Sequence, residues 1–347
     1  MGISANAHSF NYFVTAYKEA IHSKIVSYLP SFENEDFAKV VREYIDRMGQ
    51  YRRPGLVMLS GRLFGAGEKE LLLPAAAQQA SEDWILMQDD AFDGSEYRRG
   101  KPAAHKLYGW QNAINASDIG HMAMWRILKD YALQVGPEKG NLIFEKFYDM
   151  LSYTAEGQHI ENNFIHFTKS LRNASEALYF RIADSKTCYY TVYGPMQIGA
   201  IAAGQQIGVL NALREIGQNA GIAFQIVDDV LDMNADESKF GKKKFGDLYE
   251  GKLTLMMLHS YRSATPDEKE KIDAIYSKER QDKTSEEIDF LKEMIEKYRG
   301  IEYAQRTAKA YGERAKTALS RYKSLIPQNE FTPIIMSAIE ELYVRNK

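Results

Sequence analysis

"IGVLNALREIGQNAGIAFQIVDDVLDM", residues 207 to 233, carries the reading of the fold. Apolar residues recur at three- and four-residue spacing, through Val209, Leu213, Ile216, Ala220 and Ala223. That is the period of one helix face, not the alternation of a strand. The stretch contains no proline, and it closes on three aspartates, Asp228, Asp229 and Asp232.

Outward from it, the same spacing marks "LIFEKFYDMLSYTAEG", residues 142 to 157. Both stretches lie in long proline-free intervals, between Pro137 and Pro195 and between Pro195 and Pro266. Pro54-Gly55 and Gly194-Pro195 read as breaks or kinks between helical segments. No Asn-Gly or Asp-Gly turn joins two alternating runs, so no hairpin is expected. The expectation is an all-α chain of many helices, each of two to six turns. No Ser/Gly/Pro-rich linker divides it, so residues 1–347 read as one domain, a large helical bundle with its functional site in the bundle core.

Composition narrows the function classes. Apolar residues make up 45% of the 347 residues and charged residues 26%, enough for a sizeable core and unlike a disordered chain. The formal net charge of -3 argues against a protein that coats nucleic acid. The one cysteine, Cys188, excludes an intrachain disulfide and a four-cysteine zinc site and fits a reducing compartment. No apolar run reaches the ~18 residues of a membrane-spanning helix. The first thirty residues do not read as a signal peptide, so a cytoplasmic location is expected.

The closing aspartates have a counterpart. "SEDWILMQDDAFDGSEYRRGKP", residues 81 to 102, repeats Asp-Asp-x-x-Asp as Asp89, Asp90 and Asp93. Each copy ends an apolar helical run, and in each the outer aspartates are four residues apart and share a helix face. Bare carboxylates that close repel one another, and a hard cation removes the problem. Magnesium suits oxygen ligands and typically uses one or two carboxylates plus substrate phosphates. One such motif alone is weak evidence, because acidic helix ends are common. Two copies, each trailed by basic residues, are stronger. Arg98 and Arg99 follow the first; Lys239, Lys242, Lys243 and Lys244 follow the second. They could be plain surface charges of little weight. They also suit phosphate oxygens, arginine in two-pronged fashion. "FGKKKFGDLYEGK", residues 240 to 252, reads as a functional loop.

These motifs together resemble the trans-type isoprenyl diphosphate synthases, the farnesyl and geranylgeranyl diphosphate synthase family. "DDAFDGSEYRRGKP" resembles the first aspartate-rich motif with its arginine pair, and "FQIVDDVLD" the second. "SKTC", with Lys186 and Thr187, resembles a Lys-Thr pair on a middle helix. "FGKKKFGDLYEGKLTL" resembles the run after the second motif. The resemblance covers most of the chain and implies an all-α bundle around a deep central cavity, usually as a homodimer. It implies about three magnesium ions holding an allylic diphosphate between the two aspartate clusters. The carbon–oxygen bond ionises, isopentenyl diphosphate attacks the allylic cation, and a proton leaves, to the released diphosphate.

By the same resemblance Asp89, Asp93 and Asp228 are the direct metal ligands, with Asp90, Asp229 and Asp232 assisting. Arg98, Lys186, Lys242 and Lys252 contact diphosphate. Thr187 and Gln225 turn oxygen dipoles toward the cation. A dry, apolar wall is needed, or water would quench that cation.

The second substrate is where the chain departs from the pattern. The family binds isopentenyl diphosphate with Gly-Gly-Lys-x-x-Arg-Pro and a His or Gln one helix later. Here the stretch is "MGQYRRPG": Arg53 and Pro54 match, the lysine position holds Gln50, and Glu82 stands where His or Gln is usual. Glu82 has Arg53 or Arg52 as a possible partner, and Arg99 remains as a second cation. A terpene cyclase that keeps the aspartates but lacks this site is therefore the rival reading. A non-catalytic partner subunit is a third, and the intact aspartate motifs speak against it. The family's chain-length floor falls on Ile85 and Trp84. A bulky Trp84 predicts a short product of about three or four isoprene units, unless it is ordinary packing. At the C-terminus, Arg345 or Lys347 could close over a diphosphate, though a frayed helix end is the plainer view.

Overall fold

The computed structural model describes residues 9–233 and 245–343. In chain order these give α1 (Phe10–Val26), α2 (Glu35–Asp46), α3 (Arg52–Leu63) and α4 (Glu68–Asp93). A minimal hairpin follows, β1 (Tyr97–Arg98) and β2 (Lys101–Pro102). Then come α5 (Ala104–Tyr108), α6 (Trp110–Val135), α7 (Pro137–Asn163), α8 (Glu176–Ile182), a π-helix (Ala183–Tyr193), α9 (Gly194–Ala202) and α10 (Ile207–Met233). Further helices include Gly246–Glu250, Leu255–Ser263, Pro266–Tyr276, Ser285–Lys297, Gly300–Arg321 and Thr332–Tyr343.

Short polar signals set the boundaries. Asn34 caps α2 by accepting the Phe37 N–H at 2.9 Å, with Glu35 and Asp36 facing the positive end of the helix dipole. Thr265 and Thr284 form capping boxes with Glu268 and Glu287. Gly94 ends α4 in the left-handed conformation at φ 65°, immediately after the first aspartate motif.

α4 lies along α6, α3 along α9, and α10 along both the π-helix and the helix Gly300–Arg321. Leu59, Ile143, Phe147, Ile198, Leu213 and Ile216 are fully buried in the main apolar cluster. A second cluster gathers Ile226, Met257, Ile272 and Leu291, and a small third one fills the gap between α2, α4 and α6. Each such side chain contributes roughly 1.5–3 kcal/mol through burial. Among the described residues no helix is long and apolar enough to cross a membrane.

Two glycines set how closely α7 and α10 approach the π-helix. A Cβ on Gly157 would lie 2.4 Å from Ser185 Oγ and 2.7 Å from the Lys186 nitrogen. A Cβ on Gly221 would lie 2.7 Å from Cys188 Cα. Both contacts are shorter than any side chain tolerates. They bring Glu161 on α7 and Gln225 on α10, one turn further along each helix, to the π-helix.

Several expectations need correcting. α7 and α10 run 27 residues, more than seven turns rather than two to six. Pro137 sits at the start of α7, where its missing N–H is harmless, and Pro74 is accommodated inside α4. Pro54 and Gly55 lie in the first turns of α3 and are not a break. The hairpin was not expected. Its strands are two residues long and its turn is Arg99-Gly100, both with positive φ, 54° and 76°. This is a tight turn without the usual Asn-Gly signature. Arg47 clamps it, donating to the carbonyl oxygens of Arg98 and Pro102 at 2.8 Å each, while Glu43 holds Arg47.

Candidate active site

The first motif occupies the last turns of α4. Carboxylates there sit at the negative end of the helix dipole, the wrong end for them. Burial, then the Asp89 charge, push the Asp93 carboxyl above its usual range. Asp90 differs from its neighbours. It is fully buried, and its Oδ2 accepts the Tyr44 hydroxyl at 2.6 Å and Arg98 Nε at 2.7 Å. Its Oδ1 takes Arg98 Nη2. Arg98 therefore grips Asp90 two-pronged, and Asp90 holds the guanidinium pKa up against burial.

The second motif repeats the arrangement on α10. Asp229 is buried; its Oδ2 accepts the Tyr179 hydroxyl at 2.8 Å and its Oδ1 the Gln225 amide at 2.7 Å. Burial, then the Asp247 charge, push its carboxyl well up. The Gln225 carbonyl oxygen accepts the Thr187 hydroxyl at 2.5 Å. Asp232 accepts the Asp247 backbone N–H at 3.1 Å. Asp228 stands one position before Asp229. In both motifs the middle aspartate is thus tied to a tyrosine from another helix.

Half-buried cations sit beside the carboxylates. Lys186, on the π-helix, is ion-paired with Glu161. Burial opposes the Lys186 charge, but Glu161 and Asp89 outweigh it and hold the pKa above the ordinary lysine range. Lys252 pairs with Asp247 at 3.1 Å and Glu250 at 2.8 Å, and its pKa is likewise held up against burial. Glu250 also meets Arg280 at 2.5 Å, and Arg280 donates to the Asp93 carbonyl oxygen at 3.3 Å. Asp247, Lys252, Glu250 and Arg280 therefore run as a chain from the second motif to the first. Lys283 props the segment from behind, donating to the Leu248 and Tyr249 carbonyl oxygens at 3.2 and 2.8 Å.

Asp89, Asp93, Asp228 and Asp232 offer hard oxygen donors, and the burial and Asp89 charge that raise Asp93 are costs that a divalent cation relieves. The residues fit such an ion. Among the described residues, no group of three acidic, His or Cys side chains is already gathered as a cage.

Arg53, Glu82 and Arg99 form a second group. Arg53 meets Glu82 at 3.0 Å and lies over the Tyr190 ring at 4.9 Å. Arg99 donates to the Tyr44 carbonyl oxygen at 2.6 Å and to Asp83 at 2.9 Å, with Glu82 at 3.9 Å. Gln50 is exposed in a loop whose Met48 and Tyr51 both have positive φ. Lys239, Lys242, Lys243, Lys244, Arg345 and Lys347 lie outside the described residues.

Trp84 fills the seam between α4 and α6. It stacks on His121 with ring centroids 4.0 Å apart and planes within 4°. His121 Nε2 accepts the Trp125 indole N–H at 2.7 Å, and Trp125 packs on Phe144. Ile85 packs against the main apolar cluster. The void beside Trp84 and Met87 is only about 10 Å³, too small for an isoprene unit. A wider concavity of about 670 Å³ lies away from the motifs, between Leu171 and Glu270.

Tyr44, Tyr179, Asp83, Glu161, Glu250 and Arg280 join the site with no role expected from the sequence. Asp247 and Glu250 were within reach, inside the quoted Gly-Asp-Leu and Glu-Gly-Lys run. Tyr44, Tyr179 and Glu161 carry no local signal.

A family model described as polyprenyl synthetase matches residues 34–295. A geranylgeranyl diphosphate synthase of Methanosarcina mazei is 30% identical over 303 residues, spanning 86% of this chain and 88% of that protein. The crystal structure of geranylgeranyl pyrophosphate synthetase from Pyrococcus horikoshii superposes with a TM-score of 0.82 at 27% identity, over 96% of this chain and 98% of that one. A polyprenyl synthase from Caulobacter crescentus, complexed with calcium and isoprenyl diphosphate, has a TM-score of 0.85 over the full length of both chains. At 24% identity that likeness speaks for the fold.

Proposed function

Because this chain belongs to the polyprenyl synthetase family, we propose that it condenses an allylic diphosphate with isopentenyl diphosphate to an all-trans C15–C20 prenyl diphosphate. The observation that carries this reading is the pair of aspartate motifs, each with its middle carboxylate tied to a tyrosine, with the Lys186 and Lys252 charges acting on the first and Lys252 linked through Asp247 to the second.

Asp89, Asp93 and Asp228 would hold magnesium, with Asp232 beside them. When bound, the metal supplies positive charge to the leaving diphosphate. The protein's own part is positioning and charge. Asp90 and Asp229 have both oxygens engaged by Tyr44, Arg98, Tyr179 and Gln225, so they orient the helix ends and not a metal. Arg98, Lys186 and Lys252 neutralise the departing diphosphate, a fixed set of cations that needs no rearrangement as charge develops. Lys242 would join them. The Gln225 amide is fixed by Asp229, which leaves its carbonyl oxygen directed to Thr187; these two oxygens steady the allylic cation. Arg53 and Arg99 take the second diphosphate, with Gln50 at the rim. The proton lost from the new carbon skeleton goes to the released diphosphate.

No observation favours the cyclase reading. In this proposal the chain works as a cytoplasmic homodimer. The exposed Leu133, Leu142 and Tyr148 on α6 and α7 support a subunit contact, which light scattering tests. The catalytic test is incubation with magnesium, dimethylallyl or farnesyl diphosphate and labelled isopentenyl diphosphate. Label should enter a C15–C20 product. A cyclic hydrocarbon without label would overturn the reading.

A further inference from the structure

We propose that Glu82 is a specificity-determining residue of the second diphosphate subsite: a built-in anion that occupies Arg53 and that isopentenyl diphosphate must displace. The inference rests on the function proposed above, in which Arg53 and Arg99 receive that diphosphate.

The geometry is specific. Glu82 is only 7% exposed, and its Oε1 lies 3.0 Å from Arg53 and 3.9 Å from Arg99, so one carboxylate oxygen faces both guanidinium groups. Its Oε2 is buried with no hydrogen-bond partner. That leaves a buried lone pair without a donor, which costs stability; Asp83 Oδ2 is in the same state, so what sets Glu82 apart is its place between the two arginines. Arg53 has a second support besides Glu82. It lies over the Tyr190 ring, whose hydroxyl is fixed by Ser81 at 3.0 Å. Arg99 is anchored independently by the Tyr44 carbonyl oxygen and by Asp83, itself 4% exposed. It also packs so tightly on Gly49 that a Cβ there would sit 2.6 Å from its Nη2.

Two fixed arginines therefore face two buried carboxylates, and Glu82 offsets part of the arginine charge before any ligand arrives. A diphosphate entering here meets like charge at short range, where electrostatics is little screened. Of the two carboxylates, Asp83 meets Arg99 and not Arg53, whereas Glu82 lies between the arginines. Glu82 is thus the one that competes for the phosphate position.

The test compares wild type with Glu82→Gln, which keeps the shape and removes the charge. The KM for isopentenyl diphosphate should fall about tenfold, the size expected when one close like-charge contact is removed, while the KM for the allylic diphosphate stays within about twofold. Calorimetric titration of isopentenyl diphosphate into the metal-free full chain should show the same tightening without turnover. In an Arg53→Ala background the substitution should no longer help. Thermal melting checks that each variant is folded. A KM for isopentenyl diphosphate that is unchanged or higher in folded Glu82→Gln overturns the inference and makes Glu82 a support for Arg53. If wild type incorporates no labelled isopentenyl diphosphate at all, the proposed function fails instead, and the two failures are told apart.

Discussion

Tyr44 donates a 2.6 Å hydrogen bond to Asp90, from α2 to the buried middle position of the first aspartate motif. Tyr179 does the same for Asp229 at 2.8 Å. A hydrogen bond to a charged group is worth about 1.5–3 kcal/mol. Tyr44→Phe should therefore lower both the melting temperature and kcat, the latter about tenfold. Tyr179→Phe should behave alike. Melting curves and steady-state rates check this. Wild-type rates in both variants would show that the braces do not serve the reaction.

Lys186 and Glu161 form a half-buried pair, and Glu161 and Asp89 hold the Lys186 charge up against burial. Lys186→Met should raise the KM for the allylic diphosphate at least about tenfold, with Lys186→Arg partly restoring it. The KM for isopentenyl diphosphate should barely move. If it is the second substrate whose KM rises, Lys186 belongs to the other subsite.

Trp84 stacked on His121 closes the seam between α4 and α6. Trp84→Ala removes that plug and should shift the product toward longer chains by about one isoprene unit or more. His121→Ala should shift it less, because Trp84 remains. Chromatography of the dephosphorylated products reads the result. An unchanged length distribution would place the floor elsewhere.

Burial lowers the Lys283 pKa from 10.5 to about 8. Between these two values the unfolded chain carries a proton that the folded chain does not. Stability should therefore rise as pH goes from about 8 to 10.5. Below about 8 the folded protein bears the full cost of burying that charge. Lys283→Met should flatten this rise in pH-dependent denaturant melts. The same variant should lower activity, because the Leu248 and Tyr249 carbonyl oxygens lose their donor. A rise equally steep in the variant would assign it to other groups.

What the sequence could show follows from the range of the interactions. The α10 stretch was legible because apolar period and aspartate spacing are both local. The spacing of Asp89 and Asp93 is local in the same way, whereas Lys186 and Gln225 stood out only through the family resemblance. Tyr44, 46 positions from Asp90, and Glu161, 25 from Lys186, are brought in only by helix packing. Glu82 was conspicuous in sequence, but its position between Arg53 and Arg99 depends on the turn at Arg99-Gly100. That turn has strands too short to carry an alternating pattern. The lengths of α7 and α10 exceed the expectation because helical spacing in sequence marks a helix face but not its ends, which packing extends.

Lys186 and Thr187 stand on a π-helix eleven residues long, Ala183–Tyr193, which runs straight into α9. Such a segment accommodates more residues per turn than an α-helix between the same two ends. Register here is thus a matter of residue count as well as residue type. Removing a single residue between 188 and 193 would let the segment relax toward α-helix and rotate one flank against the other by about 100°. Lys186 could then keep its pairing with Glu161, or α9 its seat on α3, but not both. A one-residue deletion in this stretch would disable the site with every named side chain still in the chain.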